Sequence, residues 1–213
     1  MVINKYLAEL LGTMILVAVG SLGILAVGGA GGAAEVVAIA FAFGLALYAG
    51  ITAVGHVSGG HYNPAVTLAA LIDRRIGLSD AIGYWVAQFA GGVVGSAVIL
   101  AAAGKGAVAM TNTTYTDLGT AVVVEILLTA VFIWVILAAT KGTSKNAPLA
   151  IALTLVMAHL AGIPHSGASL NPARSFGPAA LSGTFGGLGV YLYAPFIGAV
   201  VAALLYRLFP AKE

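Results

Sequence analysis

Two copies of one short motif carry the groups best suited to chemistry in this chain: Asn63-Pro64-Ala65, preceded by Ser58-Gly59, and Asn171-Pro172-Ala173, preceded by Ser166-Gly167. Asparagine is a strong helix N-cap and proline is favoured at the first helical position, so each copy predicts the start of a helix. The apolar stretches that follow, Asn63 to Ile72 and Asn171 to Leu181, are too short to cross a bilayer. Ten residues at a rise of ~1.5 Å cover about 15 Å, roughly half the hydrocarbon thickness. Two such half-helices entering from opposite faces meet N-terminus to N-terminus. Each terminus carries a partial charge of roughly +0.5, so the meeting point repels cations, hydronium included. The Asn63 and Asn171 amides add hydrogen-bond donors there. A water accepting from both must turn its own hydrogens outward, and proton relay through the centre would have to reverse that orientation against the field.

Other polar residues stand out against their apolar surroundings. Arg174 directly follows the second motif. An arginine at membrane depth costs about 2.5–3.5 kcal/mol on insertion scales, so it needs carbonyls or water around it. Glu9 and Glu125 are acids within apolar runs, where proton coupling is one role to weigh. Their equivalent places in the two halves of the chain favour a duplicated structural task, accepting hydrogen bonds from the re-entrant loops. His56 and His61 flank the first of those loops and are expected to brace carbonyls by hydrogen bonds, not to bind metal. His165 is expected to face the outer vestibule, with no role assigned. Cysteine is absent, which excludes disulfides and thiolate zinc sites. No phosphate loop, metal cluster or nucleophile elbow is present, so no enzyme activity, cofactor or metal is expected.

The elements that must position these groups are set by composition. The 213 residues are 61% hydrophobic and 8% charged, too few charges to cover the surface of a water-soluble fold. Long apolar runs occur at Tyr6 to Val27, Val36 to Val54, Ala81 to Ala103, Ala121 to Thr140, Ala147 to Ile163 and Leu188 to Phe209. Each approaches the roughly 20 residues that span hydrocarbon as a helix, and lipid leaves backbone groups no alternative partner. With the N-terminus cytoplasmic, Lys5, Arg74, Arg75, Lys141, Lys145, Arg207 and Lys212 lie inside and Lys105 outside. That bias predicts both termini on the cytoplasmic side. No basic patch with interleaved aromatics is present, so nucleic acid is not an expected partner. The first run, followed by Gly28 to Ala34, has features of a signal peptide. Its 22 residues are long for a signal core, and it belongs to a repeat.

The repeat divides the chain, read as one domain over 1–213, into halves of about 1–104 and 118–213. Glu9, Leu11 and Thr13 match Glu125, Leu127 and Thr129; Tyr84, Ala87, Phe89 and Gly91 match Tyr191, Ala194, Phe196 and Gly198. Three spans per half is an odd number, so the second half is threaded in the opposite direction. Inverted repeats place their site near the midplane where helices break off. The Gly-rich stretches Gly55 to Tyr62 and Gly162 to Leu170 are expected to be non-helical and must be buried or line water. Ion-coupled secondary transporters share inverted repeats and broken helices, and remain a remote alternative.

The paired Asn-Pro-Ala motifs, with Arg174 after the second, resemble the aquaporin family. The resemblance covers essentially the whole chain, from Glu9 to the last span. It implies an all-α membrane protein of six transmembrane helices and two re-entrant half-helices, forming a water channel that excludes protons and ions. By the family's spacing the selectivity filter falls on Phe43, His159, Ala168 and Arg174. This set resembles the water-selective branch, because glycerol facilitators generally replace the histidine with a small residue and place Asp where Ser175 stands. Ala168 departs from the Thr or Cys common in water channels, leaving its carbonyl to serve the pore and the constriction slightly wider or less polar. Glycerol or another small neutral solute is therefore the alternative permeant. The resemblance further implies a homotetramer in the lipid bilayer of a bacterial inner membrane, with water as the permeant.

Overall fold

A computed structural model describes residues 2–141 and 146–209, so Lys145 and Lys212 of the charge argument lie outside the described residues. The described chain is all helical, in the order α1 Val2–Ala26, α2 Ala33–Ser58, α3 Pro64–Ile72, α4 Leu78–Met110, α5 Leu118–Ala139, α6 Ala147–Ser166, α7 Pro172–Ser182 and α8 Leu188–Leu208. Six of these are long and apolar enough to cross a membrane. The remaining two, α3 and α7, are the half-helices the motifs predict. Leu7, Leu45, Val86, Val123, Leu153 and Leu204 are exposed, as expected of side chains that face lipid instead of water.

The two halves repeat their packing. α1 packs on α2 and α4, and α5 packs on α6 and α8 in the same way; α2 and α6 join the halves. Each half-helix also crosses over, α3 against α8 and α7 against α4. The α4–α7 crossing depends on glycine: a Cβ on Gly92 would lie 2.3 Å from the Ala173 carbonyl oxygen, and one on Gly177 2.2 Å from that of Gly92. Backbone meets backbone there. Gly92→Ala is therefore expected to push α7 outward and to destabilise the fold by about 1–3 kcal/mol, the usual range for overpacking. A thermal unfolding scan of detergent-solubilised protein checks this, and an unchanged midpoint contradicts it.

Both Gly-rich stretches are shorter as loops than the sequence suggests. α2 continues to Ser58 and α6 to Ser166, and each stops at a glycine in the left-handed region, Gly59 (φ 93°) and Gly167 (φ 73°). Backbone hydrogen bonding continues until the first residue that can leave the helix at no steric cost. α4 also outlasts its apolar run, but Gly104 breaks it with φ 81° and ψ 177°.

Candidate functional site

Each motif asparagine caps its half-helix as expected. Asn63 accepts through its side-chain oxygen from the Ala65 amide (2.9 Å), and Asn171 from the amides of Ala173 (3.0 Å) and Arg174 (3.3 Å). The amide nitrogens do something the motif alone does not predict. Asn63 Nδ2 donates to the Leu170 carbonyl (2.8 Å) and Asn171 Nδ2 to the Tyr62 carbonyl (2.9 Å). Each asparagine thus ties its own half-helix to the residue just before the other. The two half-helix N-termini are held together by these reciprocal bonds, and one hydrogen of each amide has no acceptor among the described residues.

Tyr62 and Leu170 reach this arrangement at φ 49° and 52°, left-handed values that cost a non-glycine residue of order 1 kcal/mol. Burial holds them there. Tyr62 is fully buried, its ring lying where a Cβ on Gly12 would be, and its hydroxyl donates to the Gly50 carbonyl at 3.0 Å.

Glu9 and Glu125, both fully buried, stand behind the two loops in matching geometry. Glu9 accepts from Ser58 Oγ (2.6 Å) and from the amides of His61 (3.0 Å) and Tyr62 (2.7 Å). Glu125 accepts from Ser166 Oγ (2.8 Å) and from the amides of Ser169 (2.8 Å) and Leu170 (2.8 Å). Tyr84 and Tyr191 complete the repeat, donating to the carbonyls of Ser58 and Ser166 at 2.6 Å each. The histidines part company. His61 sits in the loop, with Nδ1 3.0 Å from the Thr67 hydroxyl, so its ring meets a side chain and not a carbonyl. His56 does not brace the loop: it is exposed on the last turn of α2 and has no side-chain hydrogen bond among the described residues. The continuation of α2 past Gly55 turns its side chain outward.

Phe43, His159 and Arg174 are brought together. The Phe43 and His159 rings stack with centroids 4.8 Å apart, and the Arg174 guanidinium lies 4.9 Å from the Phe43 ring centre. Arg174 is held by the Thr111 carbonyl (3.1 Å), while its Nε has no partner among the described residues. His159 Nδ1 faces the Leu155 carbonyl at 3.0 Å, so that nitrogen carries the hydrogen and the unpartnered Nε2 is an acceptor. A water here can accept from Arg174 and donate to His159. Ala168 (φ 47°) is buried behind this group, its methyl turned toward Gly162, and lines none of the cavities below.

These groups divide a passage. A wide cavity of ≈ 280 Å³ reaches His159 and Arg174 from one side, lined also by Thr113, Tyr115 and His165. Beyond it the space falls to ≈ 20 Å³ between Phe43, His159, Arg174, Asn63, Asn171 and His61. About one water fits such a volume. Past His61 the passage widens again to ≈ 350 Å³. Leu16, Leu47, Phe132 and Leu155 give the narrow part an apolar wall, so polar contacts come at a few fixed points.

The model of the Major intrinsic protein family matches residues 1–206. The chain belongs to this family of membrane channels. A second line agrees: the glycerol uptake facilitator protein-like 6 of Lactiplantibacillus plantarum is 41% identical, over 99% of this chain and 100% of the relative. The lens fiber major intrinsic protein of Lithobates pipiens is 44% identical over 85% of this chain and 73% of its own. Among solved structures, the aquaglyceroporin from Plasmodium falciparum superposes with a TM-score of 0.84 at 24% identity, covering 97% of this chain and 96% of the other. That likeness supports the aquaporin-like fold.

Several residues of this major intrinsic protein's passage escape sequence reasoning. Tyr62 and Leu170 had a usable signal, since each directly precedes a motif asparagine. Thr111 had none: it acts through its carbonyl from the connector between the halves. Ser175, read as a marker of the water-selective branch, is joined to Ser169 Oγ and Thr113 Oγ1 at 2.6 Å each.

Proposed function

We propose that this chain is a passive water channel, with Phe43, His159 and Arg174 as its selectivity filter and the paired asparagines as its central charge barrier. The observation that carries the reading is the ≈ 20 Å³ space walled by a stacked aromatic pair and a guanidinium between two wide vestibules. A permeant there must shed its neighbours and pass singly. Water can replace them with Arg174, His159 and the two asparagine amides. Opposed half-helix ends contribute positive potential at the centre, so a cation meets an electrostatic cost that water does not. Glu9, Glu125 and His61 hold the loops that shape the passage. We place the chain in a bacterial plasma membrane with both termini cytoplasmic, as a homotetramer with one passage per subunit. Stopped-flow light scattering on proteoliposomes under sucrose and glycerol gradients tests the reading; water flux no faster than in empty liposomes rules it out.

Glycerol is the second reading, and the relatives favour it. The relative matched along its full length is named for glycerol uptake, and Ala168, buried with its methyl toward Gly162, adds no side chain to the filter. Size at the constriction decides between the two. His159→Gly, alone or with Phe43→Ala, removes the stacked pair and is expected to raise glycerol flux at least about tenfold over the parent, as loss of ~1.4 kcal/mol of steric barrier would. Glycerol flux already at that level in the parent establishes the second reading. Background flux in variants that still fold and pass water shows that these are not the filter residues.

A further inference from the structure

The inner half of the passage contains a hydrogen-bond relay that ends on a histidine ring, where the outer half has the serine pair Ser169 and Ser175. Gln88, from α4, is fully buried and donates through Nε2 to Glu9 Oε2 (2.7 Å) and to Thr67 Oγ1 (2.8 Å). An amide nitrogen has two hydrogens and no lone pair to offer, so both of these bonds run outward from Gln88. The contact to Glu9 fixes which end of the amide faces this cluster. Thr67 Oγ1 is therefore an acceptor toward Gln88 and has one hydrogen left. Its other neighbour is His61 Nδ1 at 3.0 Å. Were Nδ1 protonated, the Thr67 hydroxyl hydrogen would have no acceptor among the described residues, in a side chain with no exposed surface, a loss buried polar groups avoid. The Thr67 hydroxyl must donate to His61, leaving Nδ1 bare and the neutral ring's hydrogen on Nε2.

We infer that Gln88 and Thr67 are positioning residues that lock His61 in its Nε2–H form, making it a hydrogen-bond donor to the permeant at the inner end of the narrow passage. His61 borders both the ≈ 20 Å³ space and the inner vestibule, and Tyr84 packs edge-on against its ring at 5.2 Å. The outer end is set the other way. His159 gives its Nδ1 hydrogen to Leu155 and presents Nε2 as an acceptor. The two histidines thus bracket the central asparagines in opposite tautomers, an acceptor toward one vestibule and a donor toward the other. In the second half Ser175 stands where Thr67 stands and meets Ser169, but Pro195 replaces Gln88 and Ser169 replaces His61, so the two ends of the relay are not part of the repeat.

The test reads the ring directly. Protein labelled with nitrogen-15 histidine is reconstituted in lipid bilayers at neutral pH, and His61 is assigned by the resonances lost in His61→Asn. Solid-state NMR is expected to show His61 protonated at Nε2 and His159 at Nδ1. Thr67→Val and Gln88→Met should move His61 toward a mixture of tautomers, and Thr67→Ser should restore the parent signature. A His61 protonated at Nδ1 in the parent overturns the inference, and this spectrum decides even if a variant fails to fold. So does a tautomer that Gln88→Met leaves unmoved. The transport consequence rests on the channel reading: water permeability per channel should fall about two- to tenfold in Thr67→Val and Gln88→Met, the range one hydrogen bond commands, and recover in Thr67→Ser. Unchanged flux with a moved tautomer overturns donation to the permeant. A parent that conducts neither water nor glycerol sinks the channel reading instead, and the spectrum still decides the tautomer.

Discussion

Glu125→Leu is expected to abolish a stable, monodisperse protein, an effect that only Glu9→Leu equals among the single substitutions considered. Its carboxylate takes three hydrogen bonds, from Ser166 Oγ and the backbone amides of Ser169 and Leu170, in a site with no exposed surface. Leucine fills the volume and accepts nothing. Each buried donor left without a partner costs about 1–3 kcal/mol, so the loss is about 3–9 kcal/mol, comparable with the whole stability of an ordinary domain. The damage also reaches the passage, because Leu170 is the residue whose carbonyl receives Asn63. Glu125→Gln should fall between, since one oxygen can still accept while the amide's own hydrogens face donors. Glu9→Leu should match Glu125→Leu, as Glu9 accepts four bonds including that from Gln88. Size-exclusion profiles and unfolding followed by the fluorescence of Trp85 and Trp134 provide the measurement. A Glu125→Leu protein that elutes and unfolds like the parent would falsify the bracing role.

Ion exclusion carries the second large effect. Arg174 keeps a full charge where the wide cavity meets the ≈ 20 Å³ space, buried and bound to one carbonyl among the described residues. A monovalent cation about 5 Å from it meets a repulsion of about 3 kcal/mol at an effective dielectric near 20, or roughly a hundredfold in rate. Arg174→Val should therefore raise sodium or proton leak by up to about two orders of magnitude while water still passes. Leak should remain far below water flux, because α3 and α7 still aim their N-termini at the centre. Asn63→Asp is the companion variant. It places a carboxylate where the two positive ends meet, and it also replaces the donor to Leu170 with an acceptor. Charge repulsion between that carboxylate and the Leu170 carbonyl should loosen the junction as well as attract cations. The double variant should leak more than either single one. pH-dye and sodium flux in proteoliposomes, scaled to water permeability, decide the matter: three variants as ion-tight as the parent would leave the electrostatic account without support.

What the sequence determined by itself is the part of the structure that depends on near neighbours and on solvent. Six apolar runs became six spans because lipid leaves their backbone groups no partner outside a helix, and Asn-Pro became a helix start because the cap bond reaches two residues along the chain. The repeat placed Glu9 with Glu125 and the two motifs in register. Tertiary structure decided the rest. Asn63 meets Leu170 across 107 residues and Asn171 meets Tyr62 across 109, bonds that no local pattern records. His56 and His61 read alike along the chain and differ in space, since one ends a helix and the other begins a loop. Thr111 holds Arg174 by a carbonyl, a group every residue owns, so its side chain gave no sign. Direction of hydrogen bonding was likewise undecidable from residue types: Gln88, Thr67 and His61 can each be written several ways, and only their mutual distances leave one assignment in which every buried hydrogen finds an acceptor.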